Sequence, residues 1–197
     1  DEKYQLDEKA FIRARLLDML LGDWDRHADQ WKWSEFEKGD NEVIYKPIPK
    51  DRDQAFPKYG GVLMSLILNL PEFRKMQSYD SEIQNLKWLN HVGYQLDIAF
   101  LQSNKKEDWE KQAVFIQENL TDAVIDNAFL QLPKEVQDAT SDKLKSDLKS
   151  RRDHLKEYAV QYHKLLEKRA IIVGTDKKED FFQKHAETYT QIRQIRL

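Results

Sequence analysis

The chain has 197 residues, 40% of them hydrophobic and 11% aromatic, with 32 basic against 35 acidic side chains and a net charge of −3. That length and apolar content support one domain with a real core, or one plus an appendage, and five tryptophans argue against a disordered chain. The balanced charge offers no basic field for nucleic acid, and the lack of cysteine removes disulfides, thiolate metal sites and cysteine nucleophiles.

The first predicted element is a helix. Asp7 follows Leu6 as an N-cap, and Phe11 stands where a hydrophobic staple to Leu6 would close. Phe11, Ile12, Leu16, Leu17, Met19, Leu20 and Leu21 make a broad apolar surface, so the helix should be deeply buried, and Gly22 should end it. The acidic stretch GDWDRHADQW (22–31) therefore begins at the exit of a buried helix. Trp31, Trp33 and Phe36 then lead into a turn at residues 38–41, and EVIYKPI returns as a strand. Pro47 and Pro49 restrict that returning arm to an edge or to its own end. Such a hairpin would bring Asp25 and Asp51 towards one end.

Beyond it the pattern is mostly helical. Residues 62–68 form a short apolar helix or strand. The longest apolar run, GVLMSLILNL (61–70), is interrupted by Ser65 and Asn69 and closed by Pro71, too short to span a membrane, so no membrane insertion is expected. Asp80 or Ser81 caps a segment through Leu101 that Gly93 interrupts. Asn104 with Glu107 resembles a capping box for a helix over about 105–118, and Thr121 caps another ending near Pro133. Ser141 opens the longest helix, to about Arg169, with a seam of Leu144, Leu148, Leu155, Tyr158, Tyr162 and Leu165. Residues 170–173 (AIIV) read as a short strand, GTDKKED as a turn, and the last 17 residues as strand or helix. The expected division is 1–173 for the domain and 174–197 for an appendage or linker. The first residue is Asp1 and the first methionine Met19, so the chain reads as a processed product or a piece of something longer.

The residues that could carry chemistry are oxygen donors near the first helix exit. Phosphoryl transfer needs an aspartate base on a rigid loop, a second aspartate holding the metal that bridges the phosphates, and an amide or carboxylate to complete the metal shell. Asp25 fits the base, Asp51 the principal metal ligand and Gln30 the completing group. Asp53 either supports the metal shell or pairs with Arg52 or Lys50, and Asp23 reads as a loop cap. Asp25 and Asp51 have a structural alternative as well, bonding loop amides or capping a turn. His27 lacks a histidine or cysteine neighbour and reads as packing rather than zinc ligation. Trp24, Trp31 and Trp33 read as core rather than stacking platforms, and KSRRDH (149–154) as a solvated helix face.

These motifs resemble known families. DWDRHADQW is similar to the D-x-D-R-H catalytic loop of atypical secretory-pathway kinases and to the D-R-H-x-x-N of lipid kinases. DRDQAF resembles the D-x-D-x-x-F of spore-coat (CotH-type) kinases, with Phe56 aligning Asp51 on the metal-binding aspartate. The resemblance covers roughly residues 11–60 and implies a mainly α fold with a small β-hairpin, a kinase-like C-lobe, and Mg or Mn with ATP as cofactors. It departs from the family in having Gln30 where Asn or Glu is usual, and no Gly-rich loop or lysine–glutamate pair precedes residue 22, so the lobe alone should not turn over. A second resemblance spans FIRARLLDMLLGDWDRHADQWKW, YKPIPKDRDQAF, LKSRRDHLKEYAVQYHKLL and VGTDKKEDF. It is to a segment of long exported proteins of Bacteroidetes-type bacteria, in which a metallophosphoesterase domain often precedes and a BamA-related outer-membrane barrel often follows. It implies a periplasmic or cell-surface location and, as partners, the other domains of the same parent chain.

Overall fold

The computed structural model of the chain describes residues 4–39, 42–68, 70–169, 172, 179–185 and 190–196. The protein is mainly helical with a small β part. Strand β1 (Tyr4–Leu6) leads into helix α1 (Glu8–Leu21), and a 3-10 turn at Ala28–Gln30 leads into the hairpin β2 (Trp31–Glu37) and β3 (Val43–Pro49). Then follow α2 (Val62–Ile67), α3 (Leu86–Leu89), α4 (Tyr94–Leu101), α5 (Lys106–Asn119), α6 (Asp122–Phe129), α7 (Lys134–Asp153) and α8 (Leu155–Leu166). Strands β4 (Glu179–His185) and β5 (Thr190–Arg196) pair only with each other as a separate two-stranded sheet.

Helix α1 is the hub. It contacts β3, α4, α5, α7 and α8. Asp7 Oδ1 accepts the Ala10 amide at 2.9 Å, the N-cap that the sequence announces. Gly22 closes the helix at φ 72°, its amide donating to the Asp18 and Met19 carbonyls. That left-handed conformation favours glycine, and a Cβ there would come within 2.9 Å of the Tyr79 ring. Phe11, Ile12, Leu16, Met19 and Leu20 are wholly buried, each contributing about 1.5–3 kcal/mol through removal from water. Trp31 stacks edge-on against Phe11 at 4.7 Å, so the hairpin is pinned to the helix by aromatic packing. Trp24 and Trp33 pack against the same core.

The hairpin turn falls partly on residues outside those described, but its register is set from Glu37↔Val43 to Trp31↔Pro49. β1 adds a parallel pairing that the sequence reading did not anticipate, Tyr4↔Val43 to Leu6↔Tyr45, which makes β3 the middle strand. Pro47 and Pro49 lie past the end of β1, where the missing amide hydrogens leave no ladder bond unmade.

Several expected boundaries shift. The segment capped at Asp80 or Ser81 is not one helix: the Asp80 carboxylate turns back on the Ser81 amide, and the Asn85 side chain caps α3 instead. The capping residue of α5 is Lys105, with its amide donating to Asp108, while Asn104 reaches across to Glu8 at 2.6 Å. Thr121 does cap α6. The longest helix begins at Lys134, directly after Pro133, and breaks at His154, so the seam from Leu144 to Leu165 runs along two helices. Pro133 is the N-cap residue, its fixed φ of −54° leading the chain into the helix. Arg151 corrects the expected solvated face of residues 149–154. It is 3% exposed and donates to the carbonyls of Met19, Asp80 and Glu82. The short strand read at 170–173 and most of the turn after it lie outside the described residues. Glu179–His185 and Thr190–Arg196 pair as antiparallel strands.

Gly93 breaks the chain between α3 and α4 for a packing reason. A Cβ there would sit 2.7 Å from Arg15 Nη2 and 3.1 Å from the Arg26 carbonyl. Gly93→Ala should therefore cost about 1–3 kcal/mol by overpacking. Gly60→Ala, whose Cβ would meet nothing within 4 Å, should stay within about 0.5 kcal/mol of the native chain. Chemical denaturation of both variants checks the contrast.

Candidate functional site

The helix α1, apolar as it is, carries two buried charges three residues apart. Arg15 donates from Nε to Asp97 Oδ1 at 2.8 Å, from Nη2 to Asp97 Oδ2 at 3.0 Å and to Asn90 at 2.9 Å, and from Nη1 to Asp18 at 2.8 Å. Tyr162 of α8 donates to the same Asp97 at 2.5 Å. Burial alone would lower the Arg15 guanidinium, but Asp97 and Asp18 outweigh it and hold it well above its ordinary value. Burial and the Asp97 charge raise the Tyr162 hydroxyl well above its own, so it stays a donor.

Asp18 joins this cluster to the acidic loop. Its Oδ2 is 2.8 Å from Arg15 and 3.2 Å from Arg26, and its Oδ1 is 2.5 Å from Arg52. One carboxylate thus serves three guanidiniums. Asp23, 3% exposed, lies 3.6 Å from Arg26 and 3.9 Å from Arg52. It is a buried acid among arginines, and its carboxylate also takes the Asp25 amide, as the loop cap expected of it would. Arg52 pairs with Asp18 and Asp23, so the expected Asp53–Arg52 pairing does not form.

Arg26 performs the join between the two motif loops. Its Nη1 donates to the carbonyls of Lys50 at 2.6 Å and Asp51 at 2.7 Å, while its guanidinium lies 4.9 Å from the Trp31 ring centroid. The Lys50 amide returns a bond to the Gln30 carbonyl at 2.8 Å. The backbone of residues 26–30 and that of residues 50–52 are therefore bonded to one another, as the hairpin register requires. Two residues of the second loop hold unusual conformations: Asp51 at φ 47° and Phe56 at φ 54°. Aspartate tolerates the left-handed region, but phenylalanine seldom adopts it. Phe56 is held there by its amide on the Leu21 carbonyl at 2.8 Å and by edge contacts with Tyr79 and Phe129.

Above this buried base stand the expected site residues. Asp51 and Asp53 are exposed, and Asp25 and Gln30 are half-buried. The Asp25 charge reaches Tyr59. The Tyr59 hydroxyl is raised mainly by burial, lowered by the bond it accepts from Trp24 Nε1 at 2.9 Å, and raised further by Asp25. Among the described residues no arginine or lysine pairs with the carboxylates of Asp25, Asp51 or Asp53. His27 is half-exposed, with Nδ1 3.9 Å from Asp29. Among the described residues no group of three or more His, Asp or Glu side chains is placed to hold a metal ion by itself. The donor chemistry fits a divalent cation held by one or two carboxylates and completed by phosphate oxygens, the usual magnesium arrangement, rather than an all-protein cage.

Sequence reasoning found the loops and missed their support. Arg15 and Asp18 were legible as charges inside an apolar helix, where each must find a partner. Their partners Asn90, Asp97 and Tyr162 lie far along the chain and carry no local mark. Comparisons with family models, with curated proteins and with solved structures give no match for this chain.

Two predictions concern this base. Asp18→Asn leaves three guanidiniums facing a neutral amide and should cost about 3–5 kcal/mol in a denaturant titration, as for other broken buried pairs. Asp23 gives a pH dependence. Burial and the Asp18 charge push its carboxyl from 3.8 up to about 6, against the pull of Arg26, Arg52 and the Asp25 amide. A raised acid binds its proton more tightly in the folded state. Its stabilising contribution is therefore complete below about 3.8 and lost as the pH rises through about 6. Relative to Asp23→Asn, the native chain should lose stability as the pH rises across that window, measured by denaturation at a series of pH values.

Proposed function

We propose that the paired loops, residues 22–30 and 50–56, are a phosphate and divalent-cation site of the kinase type, carried on a C-lobe-like domain of a larger exported bacterial protein. The observation that supports this reading is the Arg26 bridge. One buried guanidinium holds the carbonyls of Lys50 and Asp51, while the neighbouring Asp25, Asp51 and Asp53 carboxylates have no arginine or lysine partner among the described residues. A fixed backbone under unpaired hard oxygens is what a magnesium site needs before its ion arrives.

In this reading Asp51 and Gln30 hold the cation, with Asp53 beside them, and Asp25 accepts the proton of an attacking hydroxyl. The cation, when bound, neutralises charge on phosphate oxygens. Arg26 acts through the backbone and Arg52 through Asp18 and Asp23, and neither touches substrate. The domain supplies no nucleotide cradle of the kinase type, so it is inactive alone and depends on other domains of the parent chain. The separate resemblance to a segment of long exported Bacteroidetes-type proteins, in which a metallophosphoesterase often precedes and an outer-membrane barrel often follows, gives the neighbours and a periplasmic or cell-surface location. Among the described residues no helix is long and apolar enough to cross a membrane.

A second reading, a non-catalytic interaction or scaffold module, is favoured by a different observation. Asp23, Arg26 and Arg52 of the motif loops are spent on the core ion network. Calorimetric titration with manganese and ATP separates the two. Asp51→Asn removes the charge yet keeps a residue that tolerates the left-handed backbone. The kinase reading expects heat on binding to the native chain and a loss of affinity of at least about tenfold in the variant, with thermal stability nearly unchanged. Identical titrations would leave the scaffold reading.

A further inference from the structure

A cleft of about 470 Å³ lies between the segment after α2 and the start of α3. That volume is in the range of small-molecule sites. Its lining contains Arg74, Gln77, Ser78, Gln84, Asn85 and Trp88, and no carboxylate. The wall is stiff where it needs to be. Gln77 Nε2 donates to the Asn85 carbonyl and Gln77 Oε1 accepts the Asn85 amide, each at 2.8 Å. Ser78 Oγ is bonded to the amide and the carbonyl of Tyr59, both at 3.0 Å.

Other groups are left over. The Arg74 guanidinium makes no hydrogen bond or ion pair with a described residue; its one partner is the Trp88 ring, 5.6 Å from the centroid. Lys87 Nζ lies at the same 5.6 Å from that ring and pairs with no described carboxylate. The Gln84 amide also bonds to no described residue. A wall with a guanidinium and an amide unpaired among the described residues, a nearby second cation and an indole, and no acid, suits an anion that also carries a body to pack on the indole.

We propose that this cleft binds a small phosphate-bearing ligand with a sugar ring, the chemistry shared by phosphorylated sugars and nucleotides. Arg74 takes the phosphate, with Lys87 adding to the field. Gln84 takes a ring hydroxyl or amide, and the Trp88 wall takes the apolar face of the ring. The site shares no residue with the paired loops and stands whether or not those loops hold a cation.

The test is titration calorimetry of the native chain, without metal, with glucose 6-phosphate, AMP and inorganic phosphate. The two ring-bearing ligands should bind at least about tenfold more tightly than inorganic phosphate, and the tighter of the two identifies the source. Arg74→Gln should weaken that binding by about tenfold or more, and Trp88→Leu should reduce it to the level of inorganic phosphate. Lys58→Gln, an exposed charge outside the cleft, should leave it unchanged. Both residues are partly exposed, and melting curves of the variants verify that they fold. The proposal is overturned if neither ring-bearing ligand exceeds inorganic phosphate, or if Arg74→Gln matches Lys58→Gln.

Discussion

The Asp18 carboxylate is the constraint on which this fold turns. It sits wholly buried on the central helix and meets Arg15, Arg26 and Arg52 at 2.8, 3.2 and 2.5 Å. A charge moved from water to a protein interior costs several kcal/mol unless partners surround it. Here the partners come from α1 itself, from the loop after it and from the end of the hairpin. Through Arg15 the network extends to Asp97 on α4 and Tyr162 on α8. The elements cannot dock independently, because each brings a charge that only the others can neutralise. Such a network contributes little net stability compared with an apolar core, but it penalises every arrangement in which one member is missing.

This explains why the opening motif mixes aspartates with tryptophans. Arg26 needs a low-dielectric setting in which its bonds to two carbonyls and its attraction to Asp18 and Asp23 are strong, and Trp31 provides one face of that setting. Asp23, by contrast, is incompletely served. Its Oδ2, with Arg26 Nε and Arg52 Nη2, is buried without a hydrogen-bond partner among the described residues. The raised carboxyl of Asp23 is the electrostatic counterpart of that deficit, pushed up first by burial and then by the like charge of Asp18.

What was legible in the sequence follows from how local each signal is. The cap at Asp7, the stop at Gly22, the hairpin and the burial of the first helix depend on neighbours within a turn or two, and the sequence shows them. The mainly α class with a small β part follows from the same patterns. The start of α7 was visible in Pro133 but masked by a charged stretch with little apolar period. β1 could not be seen, because three residues gain strand structure only by pairing with Val43–Tyr45. The buried pairs Arg15–Asp97 and Arg15–Asn90 join positions 82 and 75 residues apart, and a lone sequence carries no mark of such partners. The loops of the candidate site were legible as a motif, whereas the division of labour among their charges was not.

That division is the strongest argument for a site rather than a bare scaffold. Within residues 22–30 and 50–56, Asp29 and Lys50 aside, the charges fall into two sets. Asp23, Arg26 and Arg52 point into the network and fix the backbone. Asp25, Asp51 and Asp53 alternate with them and are spared from it. If folding were the only demand, the spared positions could hold any polar residue, and the left-handed backbone at 51 would be better served by glycine or asparagine than by a third repelling carboxylate. Concentrated negative charge on a rigid, partly exposed base is unfavourable to the isolated chain. A divalent cation bound there, as proposed above, would offset that charge.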